Sequence, residues 1–415
     1  MEVSTPIAEV DSASLSDGAS IWQEDKSARL NQREKVSAER IKPLDGLRAV
    51  AFMSVFACHL GLIQNSTASL VRCYNEFCRW GFLGVDLFFV MSGYIITRLL
   101  LSEKVSKGRI DLKLFYYRRI LRIWPVFYLA LSVSALGIWL LAKRNFDCEL
   151  YVSLLREVYG PLSCFWYSVP VSMEKAIALL QEQTRYPIFY SIRHLWSLCV
   201  EEQFYVFWPW CLVLARSKRQ LLFFVLTTVL ITEICRYSGF PNTPGFFYYS
   251  TLSRVTPLAV GALLAMGESA DWKAIKFLQK YSGFCLSLAI GVIIAILSGP
   301  AHGVSLKFVS MFPWYPTFAA CLGVVVFTCL HNKYAKRILS ANFMQTIGRY
   351  SYCLYVFHFP ILYATLPRNW TGVTNPVLRY LLWAAISFAL TFLVARLSWK
   401  LIEEPVARLR FRYRP

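Results

Sequence analysis

The chain is dominated by apolar segments of about 20 residues, the length that a helix needs to cross a hydrocarbon core about 30 Å thick. Hydrophobic residues make up 56% of the 415 residues, charged residues make up only 17%, and the mean hydropathy is +0.44. Inside lipid every backbone polar group needs a partner within the chain, and a helix provides one. The sequence therefore predicts an all-α polytopic membrane protein.

Ten segments approach this length, which predicts about ten transmembrane helices. They lie near residues 44–64, 81–101, 120–142, 194–215, 220–238, 252–268, 281–299, 311–330, 347–366 and 377–398. The connections on one side of these segments are rich in Lys and Arg, and both ends of the chain fall on that side. Because cytoplasmic segments keep the positive excess, both termini are predicted to be cytoplasmic.

The formal net charge of +19 fits this bias and an attraction to anionic lipid in the bilayer. No soluble basic domain is present to bind a nucleic acid, so nucleic-acid partners are not expected. Residues 1–43 have no apolar core of the kind found in signal peptides, and their polar composition predicts a disordered cytoplasmic tail. The membrane domain is predicted over residues 44–404, with a long outer loop over 143–193 and a basic cytoplasmic tail over 405–415.

The first predicted span combines charged groups with a histidine. At about 100° per residue, Asp45, Arg48 and His59 fall on one helical stripe. A charged group at the bilayer centre costs about 2.5–3.5 kcal/mol, which makes a lipid-facing stripe unfavourable. This stripe is therefore predicted to face the interior of the helix bundle.

The second span carries an aspartate near its outer end, in the run from Gly84 to Gly93. Asp86 is a candidate functional acid. Its structural alternative is a carboxylate near a helix N-terminus, where the helix dipole favours an anion. Gly93 is predicted to let another helix backbone approach closely.

Two arginines lie at the inner end of the third span. Arg119 and Arg122 are three residues apart and share a helix face, a spacing suited to binding a phosphate through two guanidinium groups. The alternative is that both side chains only anchor the helix to lipid headgroups.

The fourth span opens with a polar stripe formed by His194, Ser197, Glu201 and Tyr205. Glu201 is followed by Glu202, and two adjacent carboxylates within lipid call for an explanation. We expect one of the two to be neutral through proton uptake, or one to pair with an arginine. A purely structural role for this pair is the alternative.

The ninth span contains a histidine two residues before a proline. His358 is a candidate site residue, and its structural alternative is a group that only stabilises the helix kink at Pro360.

The rise of about 1.5 Å per helical residue gives the depth of each candidate residue in the membrane. One group lies nearer the outer side and the other near the inner face, so that an internal slot would allow an extended phosphorylated ligand to contact both. The outer group is His59, Asp86 and Glu201, and the inner group is Arg48, Arg119 and Arg122.

The order of these motifs resembles the acyltransferase 3 family of integral membrane O-acyltransferases, whose bacterial members include O-antigen and exopolysaccharide acetylases. The matching segments are Leu44 to Arg48 with His59, Gly84 to Gly93, Arg119 to Pro125, His194 to Pro209, Ser250 to Gly261, Gly348 to Pro360, and Ser398 to Pro405. The resemblance implies transfer of an acyl group, commonly acetyl, from cytoplasmic acyl-CoA to a hydroxyl of a glycan, lipid or small molecule. It also implies a bacterial inner membrane location, with acyl-CoA as a donor substrate and no permanently bound cofactor.

Family functional positions carry over to His59, to Arg48, to the Arg119 and Arg122 pair, and to Glu201. In the resulting mechanism the arginines hold the CoA phosphates while His59 acts as general base on the acceptor hydroxyl. Either Glu201 or Asp86 would orient the imidazole. Further candidates are Asp45, Glu202, Tyr205 and His358.

Some relatives continue into an SGNH hydrolase-like domain, whereas this chain ends soon after its last span, so transfer without a fused domain is expected. The alternative function is a proton-coupled secondary transporter in which His59, Asp86 and Glu201 form a proton relay. No inverted repeat or pair of broken half-helices favours it. No Cys/His spacing suits a zinc ion, and no metal is expected.

Overall fold

The structure is a computed structural model that describes residues 41–61, 69–142, 193–238, 250–299, 314–366 and 372–412. These residues form helices, and no strand occurs among them. The predicted all-α fold class is therefore confirmed for this part of the chain. The segment 1–40 of the predicted tail and nearly all of the predicted outer loop lie outside the described residues.

The described residues contain fourteen α-helices, numbered here in chain order. They are α1 (Lys42–Leu60), α2 (Ser69–Trp80), α3 (Gly84–Lys107), α4 (Leu112–Ala142), α5 (Trp196–Leu214), α6 (Lys218–Ser238), α7 (Thr251–Ser269), α8 (Lys273–Lys280), α9 (Ser282–Ser298), α10 (Trp314–Cys329), α11 (Lys333–Leu339), α12 (Asn342–Ala364), α13 (Pro376–Ser398) and α14 (Glu404–Arg412).

Each predicted span coincides with one of these helices, but not every helix is apolar enough to cross a membrane by composition alone. Among the described residues, three stretches meet that test: Ser69–Lys107, Lys218–Tyr237 and Pro376–Leu409. Two sharply bent pairs, α8 with α9 and α10 with α11, raise the number to five. Polar groups such as Asp45 and Arg48 lower the mean hydropathy of other helices. The count of ten spans and the orientation of the termini stay predictions.

The first helix begins and ends where its sequence dictates. Pro43 lies in its first turn, where a missing backbone N–H has no cost. At the other end Gly61 has a φ of 78°, and its N–H donates to the carbonyl of Cys58 at 3.2 Å. At the far end of the chain, most of the segment predicted as a basic tail forms α14.

Helices α3 and α7 approach each other closely at two glycines. A Cβ at Gly93 would lie 2.0 Å from the carbonyl oxygen of Leu258, and a Cβ at Gly261 would lie 2.1 Å from the carbonyl oxygen of Val90. Backbones can come this near only where side chains are absent. The predicted close approach at Gly93 is confirmed, and the contact fixes which face of α3 points toward α7.

Helices α1 and α12 run in the same direction and contact each other along their length. At one end Gly348 of α12 packs against the backbone of Asp45. At the other end His59 of α1 meets His358 of α12. The parallel packing therefore joins two candidate residues that are 299 positions apart in the sequence.

Candidate functional site

A cavity lies among α1, α3, α4, α5 and α12, and the open space in it, including the part continuous with solvent, is about 770 Å³. Aromatic and aliphatic side chains from α3, among them Val85, Phe88 and Phe89, form its apolar wall. Its polar wall includes Arg48, Arg119, Arg122, Glu201, Tyr205 and Tyr355. The structure thus brings the three predicted arginines and one predicted acid into one site.

The arginines reach the cavity from two helices. Arg119 and Arg122 come from successive turns of α4, as their spacing predicts, and the Arg122 side chain is exposed. Arg119 lies over the rings of Phe115 and Tyr205, with its Cζ atom 5.4 and 5.6 Å from their centroids. Aromatic faces hold a guanidinium in place while leaving its edge available for an anion.

Arg48 enters the cavity from α1 and is held by its neighbour. Its Nη1 donates to Oδ1 of Asp45 at 2.9 Å, and the side chains are 23% and 4% exposed. Asp45 therefore orients Arg48 and partly balances its charge. With Arg119 and Arg122 included, the cavity wall carries more positive than negative groups, which favours an anionic ligand.

The two adjacent glutamates have different surroundings. The Tyr205 hydroxyl donates to Oε2 of Glu201 at 2.9 Å and lies 3.0 Å from Oγ of Ser92, and all three residues line the cavity. Glu202 is not among the lining residues, and its Oε2 is 3.4 Å from the indole nitrogen of Trp124. The structure therefore places Glu201, rather than Glu202, at the site.

Three histidines form a cluster at the other end of α1. The ring of His59 lies 5.0 Å from that of His358 and 6.3 Å from that of His194, and the last two rings are 4.9 Å apart. His59 Nδ1 is 2.7 Å from His358 Nε2. His194 and His358 are buried, whereas His59 is only partly buried.

Backbone carbonyls of α12 fix two of these rings. His358 Nδ1 donates to the carbonyl of Tyr355 at 2.7 Å. His194 Nε2 lies 2.9 Å from the same carbonyl oxygen and 3.1 Å from that of Val356. Pro360 has no N–H to satisfy the Val356 carbonyl, so the proline leaves an acceptor open for His194.

The cavity and the histidine cluster are neighbours. Arg48 and His59 are eleven positions apart on α1, about 16 Å along the helix axis. The cavity extends to Ser197 and Tyr355, whose hydroxyl oxygens are 2.5 Å apart. His59 is not among the lining residues and connects to the cavity wall through His358 and the Tyr355 backbone.

Asp86 lies in a different network. Its Oδ1 forms an ion pair with Nη2 of Arg254 at 3.0 Å and accepts a hydrogen bond from the Tyr315 hydroxyl at 2.7 Å, and the side chains of Asp86 and Arg254 are fully buried. The hypothesis that Asp86 or Glu201 orients His59 does not fit this geometry. Among the described residues the hydrogen-bond partner of His59 is His358. The reason is that the end of α3 bearing Asp86 turns toward α7 and α10.

Sequence reasoning did not assign roles to His194 or Arg254. A signal for each is present in the sequence. His194 begins the polar stripe of the fourth predicted span, and Arg254 lies within an apolar segment, where a charged group needs a counter-ion. What the sequence does not show is which of several acids supplies that counter-ion.

The described residues contain no group of three or more His, Cys, Asp or Glu side chains arranged to hold a metal ion. In the histidine cluster, ring nitrogens of His194 and His358 are directed at backbone carbonyls. The three rings contact one another without their nitrogens converging on a common point.

A family model described as an acyltransferase domain matches residues 41–397. The peptidoglycan O-acetyltransferase OatA of Listeria monocytogenes is 27% identical over 397 residues, which cover 92% of this chain and 58% of that protein. The putative peptidoglycan O-acetyltransferase YrhL of Bacillus subtilis is 26% identical, with 90% and 56% covered. A putative O-acetyltransferase of Staphylococcus aureus is 28% identical, with 88% and 57% covered.

The chain spans a little over half the length of these curated relatives. No solved structure matches it.

Proposed function

We propose that this chain, which belongs to the acyltransferase domain family, is a membrane O-acetyltransferase that moves an acetyl group from acetyl-CoA to a hydroxyl of a cell-wall glycan. The observation that carries this proposal is the cavity lined by three arginines and one glutamate, one residue layer away from a partly exposed histidine. The acceptor class follows the peptidoglycan named for two relatives.

The arginine end of the cavity suits the donor. Coenzyme A carries phosphate groups at one end and a thioester at the other. Guanidinium groups bind phosphate through paired hydrogen bonds, and Arg122 is exposed where a phosphate would enter. The apolar wall formed by Phe88 and Phe89 suits the uncharged arm that leads to the thioester.

The histidine cluster suits the acceptor. In the proposed reaction the acceptor oxygen attacks the thioester carbonyl while His59 takes the hydroxyl proton. The carbon–sulfur bond then breaks, and the proton returns from His59 to the leaving thiolate, so that an ester and free CoA result. His59 is assigned as the base because it is the partly exposed ring of the cluster.

Glu201 acts on the donor side in this proposal. It holds the hydroxyl of Tyr205, and the Tyr205 ring lies under Arg119. Glu201 therefore positions part of the phosphate-binding wall. The hypothesis that Glu201 orients the His59 imidazole directly is not required.

We place the protein in the bacterial cytoplasmic membrane, with the arginine end of the cavity on the cytoplasmic side. This location supplies acyl-CoA to the arginines and brings a glycan on the outer side near His59. The sharing of one family with bacterial cell-wall acetyltransferases supports it.

The test is a transfer assay with the protein reconstituted in lipid. Labelled acetyl-CoA and peptidoglycan fragments are supplied, and both CoA release and acetylated product are measured. We expect both products from the wild-type protein, and a roughly 100- to 10,000-fold lower rate for His59→Ala. His331→Ala is the matched control. His331 follows α10, lies 3.9 Å from Glu268 and is not among the residues that line the cavity. Normal transfer by His59→Ala would overturn the assignment.

A transport assay, run beside the transfer assay, separates this proposal from proton-coupled transport. A proton relay needs linked groups, yet His59, Asp86 and Glu201 have their hydrogen bonds in three separate networks. Proton-driven uptake of a solute into liposomes, with no CoA release when donor and acceptor are present, would contradict an acetyltransferase.

A further inference from the structure

One hydrogen bond in the histidine cluster joins two rings from parallel helices. His59 Nδ1 and His358 Nε2 are 2.7 Å apart, and the ring planes are inclined by 21° with their centroids at 5.0 Å. A contact between two imidazole nitrogens needs one donor and one acceptor. Its direction is therefore set by whatever fixes the proton on one of the two rings.

The Tyr355 carbonyl fixes that proton. A carbonyl oxygen only accepts, so Nδ1 of His358, at 2.7 Å from it, must carry hydrogen. In a neutral imidazole the other nitrogen then has the lone pair. His358 Nε2 accordingly accepts, and His59 Nδ1 donates. This leaves His59 Nε2 with a lone pair, which is the form that a general base requires.

The surroundings of His358 keep its ring neutral at rest. The residue is 0% exposed and packs against the rings of Phe52 and Phe56 at 5.8 and 6.3 Å. Its hydrogen bonds are made to backbone carbonyls of α12, among them that of Tyr355, and to the His59 imidazole. A buried cation without a carboxylate is costly, so the neutral ring is favoured.

We propose that His358 is a positioning residue, which holds His59 in the tautomer whose Nε2 accepts the acceptor's proton and which stabilises the His59 cation once that proton has arrived. The arrangement is similar to a catalytic triad. His358 orients His59, and the backbone carbonyl of Tyr355 orients His358 in the place where a triad has a carboxylate. This inference rests on the proposed function.

Pro360 leaves a second carbonyl of α12, that of Val356, open to a donor from another helix. The proline lacks the N–H that would bond the Val356 carbonyl, and His194 supplies a replacement donor from α5. Because His194 bonds through Nε2, it has the opposite tautomer to His59 and His358. The cluster therefore contains two kinds of neutral imidazole that a spectroscopic measurement can distinguish.

The first experiment observes the tautomers without requiring activity. The chain has five histidines, so ¹⁵N-histidine labelling of the full protein in lipid gives a small set of signals. Single His→Gln variants assign them. We expect His59 and His358 to be protonated at Nδ1 and His194 to be protonated at Nε2. A neutral His59 protonated at Nε2 would overturn the inference, even if acetyl transfer is confirmed.

The second experiment measures kinetics with two variants of one residue. His358→Gln keeps an acceptor near the position of Nε2, whereas His358→Leu has a similar volume and no acceptor. We expect the Leu variant to lose roughly 100-fold in kcat with an unchanged KM for acetyl-CoA, and the Gln variant to recover most of that loss.

A merely structural role predicts a different pattern. It would lower the yield of folded protein without separating the two variants in kcat per folded molecule. Equal kcat values for folded His358→Gln and His358→Leu would therefore overturn the inference. If neither variant folds, the ¹⁵N spectrum of the wild-type protein decides the question by itself. Failure of the proposed function would instead appear as absent CoA release, with the tautomers as predicted.

Discussion

Arg254 places a guanidinium nitrogen 3.0 Å from a carboxylate oxygen of Asp86, and neither side chain has any solvent exposure. The Tyr315 hydroxyl donates to the same oxygen, and the ring lies 5.5 Å from the Arg254 guanidinium carbon. The pair joins α3, α7 and α10 at one end of the bundle. It is a structural contact, and it takes Asp86 away from the proposed chemistry.

Removing one partner of this pair is expected to destabilise the protein. Asp86→Ala leaves a buried guanidinium without its counter-ion, a change that typically costs about 3–5 kcal/mol. Thermal unfolding in detergent, followed by tryptophan fluorescence, measures the loss. Glu76→Ala is the matched control, because Glu76 and Arg79 form an exposed pair at 3.7 Å, of a kind that contributes about 0–1 kcal/mol. Unchanged stability of Asp86→Ala would show that the pair is not structural.

Gly93→Ala is expected to force α3 and α7 apart, because the added Cβ would meet the carbonyl oxygen of Leu258 at 2.0 Å. The loss appears as a lower unfolding temperature and a lower yield of folded protein. Gly291→Ala in α9 is the control, since nothing lies within 4 Å of its added Cβ. That substitution is expected to be neutral or to stabilise the helix by up to about 1 kcal/mol. Similar behaviour of both variants would contradict the packing described for α3.

Arg122→Ala is expected to raise the KM for acetyl-CoA roughly 10- to 100-fold with little change in kcat, because it removes a charge-assisted contact worth about 1.5–3 kcal/mol in donor binding. Initial rates at varied donor concentration measure it. Arg118→Ala is the control, as Arg118 is exposed on the same helix and is not among the cavity-lining residues. An equal rise in KM for both variants would indicate general electrostatic attraction instead of a phosphate site.

Glu201→Gln and Glu202→Gln are expected to differ. The first removes the charge that accepts the Tyr205 hydrogen bond in the cavity, and a roughly tenfold or greater loss of kcat/KM is expected. The second alters a group outside the cavity lining, and activity is expected to stay within about twofold. Parallel assays on equal amounts of folded protein make the comparison. A larger effect at Glu202 would reverse the assignment of the two acids.

Sequence reasoning predicted those features of the site that depend on one helix. Arg119 and Arg122 share a cavity wall because residues three apart lie on one helix face. Glu201 contacts Tyr205 because residues four apart are neighbours on a helix surface. Each predicted span coincides with a helix for the same local reason, although the number of spans and their orientation stay predictions.

The sequence by itself determined the helical class, the helix positions and the chemistry carried on each helix face, since apolar length and a period of 3.6 residues are local properties. Only the tertiary structure decided the partners across helices. His59 meets His358 rather than an acid, and Asp86 meets Arg254. The physical reason is that close contacts such as the one at Gly93 fix which faces oppose each other, and such contacts join residues far apart in the chain.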